Sequence, residues 1–446
     1  MEHKLSKAYP KHVTGRFRST KNVVSVILQL LLFVTPWINW GGRQMILMDV
    51  PGRKLHLFGW TFWPQETHFL FLILVMAGLT LFCVTSLLGR MWCGYACPQT
   101  VLSHAFILVE RIIEGDRHKR QRLDKNEWNG DKISKKIAKW SIWLGMSIYL
   151  GLTFAGYYTP MRALALDFVS GHAQSGTILV IGFFTAFSML FFGFFRGRFC
   201  ATMCPYARFQ GAMFDRDTVM VNYDQVRGEP RGKAKDPNAG SCVDCSACVQ
   251  VCPQGIDIRN GVQFECINCA ACVDACDAVM EKLDRPKGLV RYASEAELEG
   301  EKTHWLRARP ILYVTAILAV FAVFVSLLST RIPLEMDAVR DAKDGVFTQT
   351  ADHRVSNRYD VRLINKEAPK MQVVLSLEGL EGAELVAPVN PVTIDAETSK
   401  TMQVFVLINP EKVKKPVTRF KIVATDANDP NVQRQVETTF IRGGRQ

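Results

Sequence analysis

Apolar residues in this chain gather first into unbroken runs and later into short alternating ones. Five runs, near 23–40, 68–88, 140–158, 176–195 and 310–329, approach the roughly 20 apolar residues that carry a helix across a bilayer. Trp37, Trp40, Trp140, Tyr157, Tyr158 and Trp305 stand near their ends, as aromatic belts do at membrane surfaces. A sixth run, Val101 to Ile113, is short and carries Glu110 and Arg111, so it reads as an interfacial or re-entrant helix. Beyond Arg331 apolar positions alternate over Tyr359–Ile364, Met371–Leu377, Ala383–Val386, Met402–Ile408, Arg419–Ala424 and Gln435–Ile441. Turn-forming pieces such as Glu378-Gly379, Asn390-Pro391 and Asn409-Pro410 separate them. This spacing predicts an antiparallel β-sandwich of roughly 100 residues, without a cysteine pair to bridge its sheets.

Length and charge sharpen that division. The 446 residues allow two or three domains, and a mean hydropathy of +0.06 fits a membrane part joined to soluble parts. The net charge of +12 is unevenly spread: the loop 89–139 holds eleven Lys or Arg, whereas 41–67 holds three and 159–175 one. With Lys4, Lys7, Lys11, Arg16, Arg18 and Lys21 at the start, the alternation predicts a cytoplasmic N-terminus. Residues 196–309 then lie in the cytoplasm and everything after 330 lies outside it. The basic charge is a topology signal, and no module for binding nucleic acid accompanies it. The polar opening shows no small-residue cleavage site, so no cleavable signal peptide is expected. The expected parts are a cytoplasmic segment 1–22, a four-span region 23–215, a cytoplasmic insert 216–309, a fifth span 310–329 and an outer sandwich 330–446.

All thirteen cysteines lie between Cys83 and Cys276, in short metal-type spacings unlike a disulfide framework. Cys242, Cys245, Cys248 and Cys252, then Cys266, Cys269, Cys272 and Cys276, each read C-x2-C-x2-C-x3-C. This is the run of bacterial two-cluster ferredoxins, in which the fourth cysteine serves the other cluster. One 4Fe–4S cluster is therefore expected on Cys242, Cys245, Cys248 and Cys276, and the second on Cys252, Cys266, Cys269 and Cys272. Zinc would need only four ligands in two pairs. Pro253 follows Cys252, but Asp277 follows Cys276 where the run usually has proline.

A second signal is a repeated C-x3-C-P, in GRMWCGYACP and GRFCATMCP. It supplies Cys93, Cys97, Cys200 and Cys204, each pair behind an apolar run and a Gly-Arg dipeptide. If helical, cysteines four apart share a face, and repeat symmetry could unite all four thiols. Three readings stay open: copper binding or reduction, since thiolates prefer Cu(I); a redox dithiol or further metal centre; or buried apolar fillers. Cys83, alone in a span, reads as packing. His104, seven residues after Cys97, is a structural histidine or a third ligand. Met45, Met48, His56, His68, Met161 and His172 could form an outer soft-metal site, though methionines are common in apolar surroundings. No in-span histidine pair argues for b-type haem, and no G-x-G-x-x-G or P-loop is present.

The two C-x3-C-P motifs, the doubled ferredoxin run and the order of parts together resemble the cytochrome c oxidase accessory family called CcoG, FixG or RdxA. The likeness runs from about residue 20 onward. It implies a multi-domain protein of the bacterial inner membrane: a five-span α-helical transmembrane bundle, an inserted two-cluster ferredoxin-like domain in the cytoplasm and a periplasmic immunoglobulin-like β-sandwich. It also implies two 4Fe–4S clusters, copper as acceptor with Cys93, Cys97, Cys200 and Cys204 in the copper-related step, and partners among cbb3-type oxidase subunits or assembly factors. The electron donor stays unnamed. The leading expectation is reduction of Cu(II) to Cu(I) for oxidase assembly. A quinol-linked respiratory relay and a non-catalytic assembly scaffold are the alternatives.

Overall fold

The computed structural model describes residues 9–342, 345–367, 369–413 and 415–442. They divide into two compact units, one of residues 1–50 and 68–322, the other of 51–67 and 323–446.

In the second unit, β-branched residues on alternating positions make two antiparallel sheets. One runs Glu384–Val386, Ser399–Ile408, Val355–Asn365, Leu334–Arg340, with Thr348–Gln349 paired beside Val355–Asn365. The other runs Val392–Ile394, Met371–Glu378, Val417–Asp426, Gln433–Ile441. Tyr359, Val361 and Leu363 from the first sheet and Val373, Ile422 and Phe440 from the second share one core. This is a β-sandwich, and each of the six expected alternating runs is a strand in it. Leu334–Arg340 and Val392–Ile394 are strands that the alternation does not announce. Nor does the sequence announce that segment 51–67 joins this unit, where Lys54–Leu57 and Trp60–Phe62 form a hairpin. Buried Glu66 ties it down through Arg331 (2.8 Å) and Lys366 (3.2 Å). Buried Asn357 joins the sheets: its amide donates to Ile441 O and its Oδ1 accepts from Ile441 N, both at 2.9 Å. Asn357→Ala leaves both backbone groups unpaired and should cost about 1–3 kcal/mol, read as a lower midpoint in thermal loss of strand circular dichroism.

The first unit is helical. Among the described residues four helices are long and apolar enough to cross a membrane: Arg16–Trp37, Pro64–Leu88, Ser175–Phe195 and Ala308–Ser329. The remaining expected span, 140–158, lies almost wholly in the 27-residue helix Gly130–Gly156, which is long enough but less apolar. Trp, Ser, Gly, Tyr and Thr side chains interrupt its apolar positions. Its Gly151 permits a close crossing, since a Cβ there would lie 2.7 Å from Ile181 O of the Ser175–Ser188 helix.

The Val101–Ile113 run is helical and packed within protein. It lies in helix Pro98–Glu114, whose Val101, Leu102, Phe106 and Glu110 are buried in protein. Phe106 packs with Trp143, Leu150 and Phe192, and Trp143 Nε1 donates to Phe106 O at 3.1 Å. Glu110 survives there because Arg196 (2.5 Å), Arg120 (3.4 Å) and Lys139 (3.5 Å) surround it. Glu114 likewise pairs with Lys139 (2.7 Å) and Lys136 (2.9 Å). Several of the loop's basic residues are thus partners of internal carboxylates.

Candidate iron–sulfur and thiol sites

The insert repeats a loop-and-helix unit. Cys242–Ser246 leads into helix Ala247–Val251, and Cys266–Ala270 into helix Ala271–Lys282. Equivalent residues share a left-handed backbone: Asp244 (φ 50°) with Asn268 (φ 56°), and Ser246 (φ 55°) with Ala270 (φ 54°). Alternating backbone of this kind turns successive N–H groups inward, a cradle for negative charge. Strands Met220–Tyr223 and Val290–Ala293 pair across the unit, and Val221, Tyr223, Val273, Met280 and Val290 fill its core.

The two halves end differently because of one residue. Proline cannot continue a helix interior, so Pro253 follows a helix that stops at Val251. Asp277 lets the second helix run through Cys276 to Lys282, and its Oδ1 accepts from Gly288 N at 2.9 Å.

Eight cysteines gather at two internal cavities. Cys242, Cys245, Cys248 and Cys276 line one. Cys252, Cys266, Cys269 and Cys272 line the other, with Cys248 at its border. Burial pushes Cys248 and Cys266 up to about 11 and Cys252 and Cys276 up to about 12. Such thiols are neutral at pH 7, and iron binding there must displace their protons. Among the described residues no three His, Cys, Asp or Glu side chains stand close enough for a single metal ion. Four thiols around a cavity fit a cluster, whose several irons keep the sulfurs apart.

The C-x3-C-P motifs are also structural repeats. Cys93 lies in the short helix Met91–Tyr95, and Cys97 caps helix Pro98–Glu114. Cys200 lies in Gly197–Thr202, and Cys204 caps Pro205–Gly211. Ala96 N and Cys97 N both donate to Trp92 O at 2.9 Å; Met203 N and Cys204 N donate to Phe199 O at 3.0 and 2.9 Å. A single helix through each motif does not form, because a residue before proline avoids the helical region. Cys97 (ψ 129°) and Cys204 (ψ 112°) are extended instead. The motifs nevertheless converge: Cys97, Cys93 and Cys204 all lie within electrostatic reach of Cys200, whose buried thiol is raised to about 12. Cys93 Sγ also accepts from Gln210 Nε2 at 3.5 Å, on the helix that follows Cys204.

This thiol group adjoins the insert. Buried Arg90 donates to Gln210 Oε1 (2.6 Å), to Cys266 O (3.1 Å) and to Phe264 O. A Cβ on Gly94 would lie 2.6 Å from Ile267 O, so glycine allows the first motif to sit directly on the Cys266–Ala270 loop.

A cavity of about 1040 Å³ lies beside both groups, bordered by Cys200 and Cys269 and lined by Arg18, Lys21, His104 and Trp140. The helix beginning at Arg16 reaches it because Asp274, between two insert cysteines, accepts from Phe17 N (3.2 Å) and Arg18 N (2.7 Å). Lys21 is 7% exposed and lies within electrostatic reach of Cys269 and Cys252. In the sequence Lys21 reads only as one of the basic residues that set topology, just ahead of the first apolar run, and Asp274 carries no signal. His104 Nε2 accepts from Arg18 at 2.7 Å. Burial and nearby Arg18, Lys21 and Arg111 lower it to about 3, so the ring is neutral. It is bonded to a cation, not to a thiol. Cys83 is buried in its helix. Of the outer candidates, His56 pairs with Thr61 (2.9 Å), His172 with Ser170 (3.1 Å), and Met161 is core.

Comparison with known proteins agrees with these sites. Residues 195–295 match the family described as 4Fe-4S dicluster domain, and 68–114 that described as 4Fe-4S binding domain. Residues 324–443 match the IG-like fold at the C-terminal of FixG. Protein RdxB of Cereibacter sphaeroides is 38% identical over 430 residues, covering 91% of this chain and 89% of that protein. RdxA of the same organism is 38% identical over 388 residues (84% and 82%). The nitrogen fixation protein FixG of Rhizobium meliloti is 36% identical over 475 residues (95% and 90%). A crystal structure of a FixG-related protein from Vibrio parahaemolyticus aligns with 24% of this chain and 95% of its own, at 21% identity and a TM-score of 0.22, too weak to bear on the fold. With its doubled cysteine insert between membrane-length helices and its C-terminal sandwich, the chain belongs to the FixG/RdxA family and is an iron–sulfur electron-transfer protein of the membrane.

Proposed function

We propose that this protein is a cupric reductase that delivers Cu(I) for assembly of a cbb3-type oxidase. The insert faces the cytoplasm and the sandwich the periplasm of a bacterial inner membrane. Cys242, Cys245, Cys248 and Cys276 hold one 4Fe–4S cluster, and Cys252, Cys266, Cys269 and Cys272 the other. Bound there, the clusters supply one-electron couples, matching the single electron that separates Cu(II) from Cu(I). Cys93, Cys97, Cys200 and Cys204 form the next station toward copper. The observation that carries this reading is the contact of the paired motifs with the Cys266–Ala270 loop, through Arg90 and Gly94.

The test is anaerobic. Protein reduced with dithionite is freed of excess reductant and titrated with Cu(II), a Cu(I)-specific chromophore being present. Cluster absorbance should recover as Cu(I) appears, and Cys93, Cys97, Cys200 and Cys204 changed to Ser should slow both. Clusters that stay reduced in excess Cu(II) would rule copper out as acceptor.

Charge around the second cysteine set gives a further expectation. Lys21 has no hydrogen-bond or ion-pair partner among the described residues and lies near Cys269 and Cys252. A buried cation there favours the more negative, reduced centre. Lys21→Met should lower that centre's reduction potential by on the order of 100 mV, from Coulomb energy at an effective dielectric of about 20. A potentiometric titration monitored by electron paramagnetic resonance measures it.

The large cavity favours one alternative, a quinol-linked relay. It borders cysteines of both groups and combines aromatic walls with a neutral histidine and two cations. Reduction of the oxidised protein by a soluble quinol, lost in His104→Ala, would support that reading.

A further inference from the structure

We propose that the cavity of about 1040 Å³ binds an anionic phospholipid, its phosphate held by Arg18, Lys21 and Arg111 and its acyl chains leaving past Trp140 and Phe194. Charge is the first reason. Ten Lys or Arg side chains border this space against three Asp or Glu. Glu110 answers Arg120, Lys139 and Arg196, and Asp124 together with Glu114 answers Lys136. Lys21 is almost fully buried, and its ammonium has no hydrogen-bond or ion-pair partner among the described residues. The Arg18 guanidinium bonds His104 Nε2 at 2.7 Å, while its own Nε is buried without a partner among the described residues. Arg111 has no carboxylate partner among them either. A buried cation is costly unless an anion pairs with it, and the cavity gives that anion room.

The three cations converge through two packed helices. Arg18 and Lys21 stand one turn apart on helix Arg16–Val34, and His104 and Arg111, seven apart, share a face of Pro98–Glu114. The Arg18–His104 bond joins the two faces. Further along, Gln29 Nε2 donates to Val101 O at 3.2 Å and holds the same two helices together.

The remaining wall suits an amphiphile better than free phosphate. Trp140 and Phe194 line the cavity yet are exposed, one on helix Gly130–Gly156 and the other on Ser175–Phe195. An opening between membrane helices meets lipid, and basic pockets so placed take acidic headgroups. Tryptophan is at home at the headgroup level. A quinol is uncharged and would leave all three cations unanswered.

The test uses the full-length protein extracted from membranes in a mild detergent. Native mass spectrometry and lipid extraction should find a phospholipid with an acidic headgroup retained one to a chain, enriched over zwitterionic lipid. Arg18→Gln with Lys21→Gln should lower its occupancy about tenfold or more, from the loss of two charged contacts. Lys119→Gln with Lys125→Gln removes equal charge from exposed residues outside the cavity and should retain the lipid. The wild-type protein decides the matter should the first variant not fold. Stripped of lipid and placed in phosphatidylcholine nanodiscs, it should gain in thermal midpoint when phosphatidylglycerol is added and not with inorganic phosphate. Lipid lost equally from both double variants, an equal gain with inorganic phosphate, or a retained quinone in place of the phospholipid would overturn the proposal.

Discussion

Cys252→Ala is expected to empty the site formed by Cys266, Cys269 and Cys272, although those three cysteines all lie downstream of it. The reason is geometric: Cys252 follows the first helix and lines the cavity of the second loop, while Cys276 completes the first. About four irons should be lost, and the spin coupling between the two reduced centres with them, leaving one simple signal. Pairing the change with Cys266→Ala separates crossed from local ligation. In crossed ligation both substitutions strike one site, so the double variant loses no more iron than either single. In local ligation it would lose both clusters. That non-additivity is the signature of residues acting as a unit. Because iron binding also contributes folding energy, the variant should be cleaved faster by protease around helix Ala271–Lys282.

Glu110→Ala should have the largest effect on stability outside the cysteines. Glu110 is fully buried, and its carboxylate answers Arg120, Lys139 and Arg196 at once. Removing one member of a buried ionic group costs about 3–5 kcal/mol, since the partners stay buried without a counter-charge. Arg196 makes the loss local as well as global. It adopts φ 47° at the junction before Gly197, bonds Gly193 O at 2.7 Å and lies 4.9 Å from the Trp143 ring centre. A non-glycine residue in that region is strained and persists only when its surroundings hold it. Freed of Glu110, Arg196 should relax and shift Cys200 and Cys204. The checks are the thermal midpoint in detergent and the rate at which a thiol reagent labels Cys200 and Cys204. Glu110→Gln, which keeps the shape and one acceptor but removes the charge, should fall between Ala and wild type; a Gln variant as stable as wild type would show that packing, not charge, sets the cost.

Much of the site was legible in the residues because its information is local. Metal-type spacing of cysteines fixes which thiols a short loop can turn inward, so the doubled run declares its clusters without reference to the rest of the chain. Alternating Val, Ile, Leu and Met declares strands for the same reason: side-chain direction along a strand depends only on neighbouring residues. The run 140–158 was legible as a helix and read as a span, but small and aromatic polar residues dilute its hydropathy, and it is not among the four described helices apolar enough to cross a membrane.

What stayed hidden depends on residues far apart in sequence. Glu110 within an apolar run read as an interfacial feature, because its partners Arg120, Lys139 and Arg196 lie ten, 29 and 86 residues away. On a continuous helix the C-x3-C-P cysteines would share a face, but proline puts Cys97 and Cys204 at the caps of new helices. Asp274 docking the first apolar helix lies 256 residues from Arg18, and only that docking brings Lys21 beside the second cysteine set. The sequence by itself determined the ligand types, the periodicity and the order of parts. Tertiary structure alone decided which thiols meet, which charges are paired and which are left to face a cluster. Coulomb energy and desolvation depend on distance and burial, and neither is written in the spacing of residues along a chain.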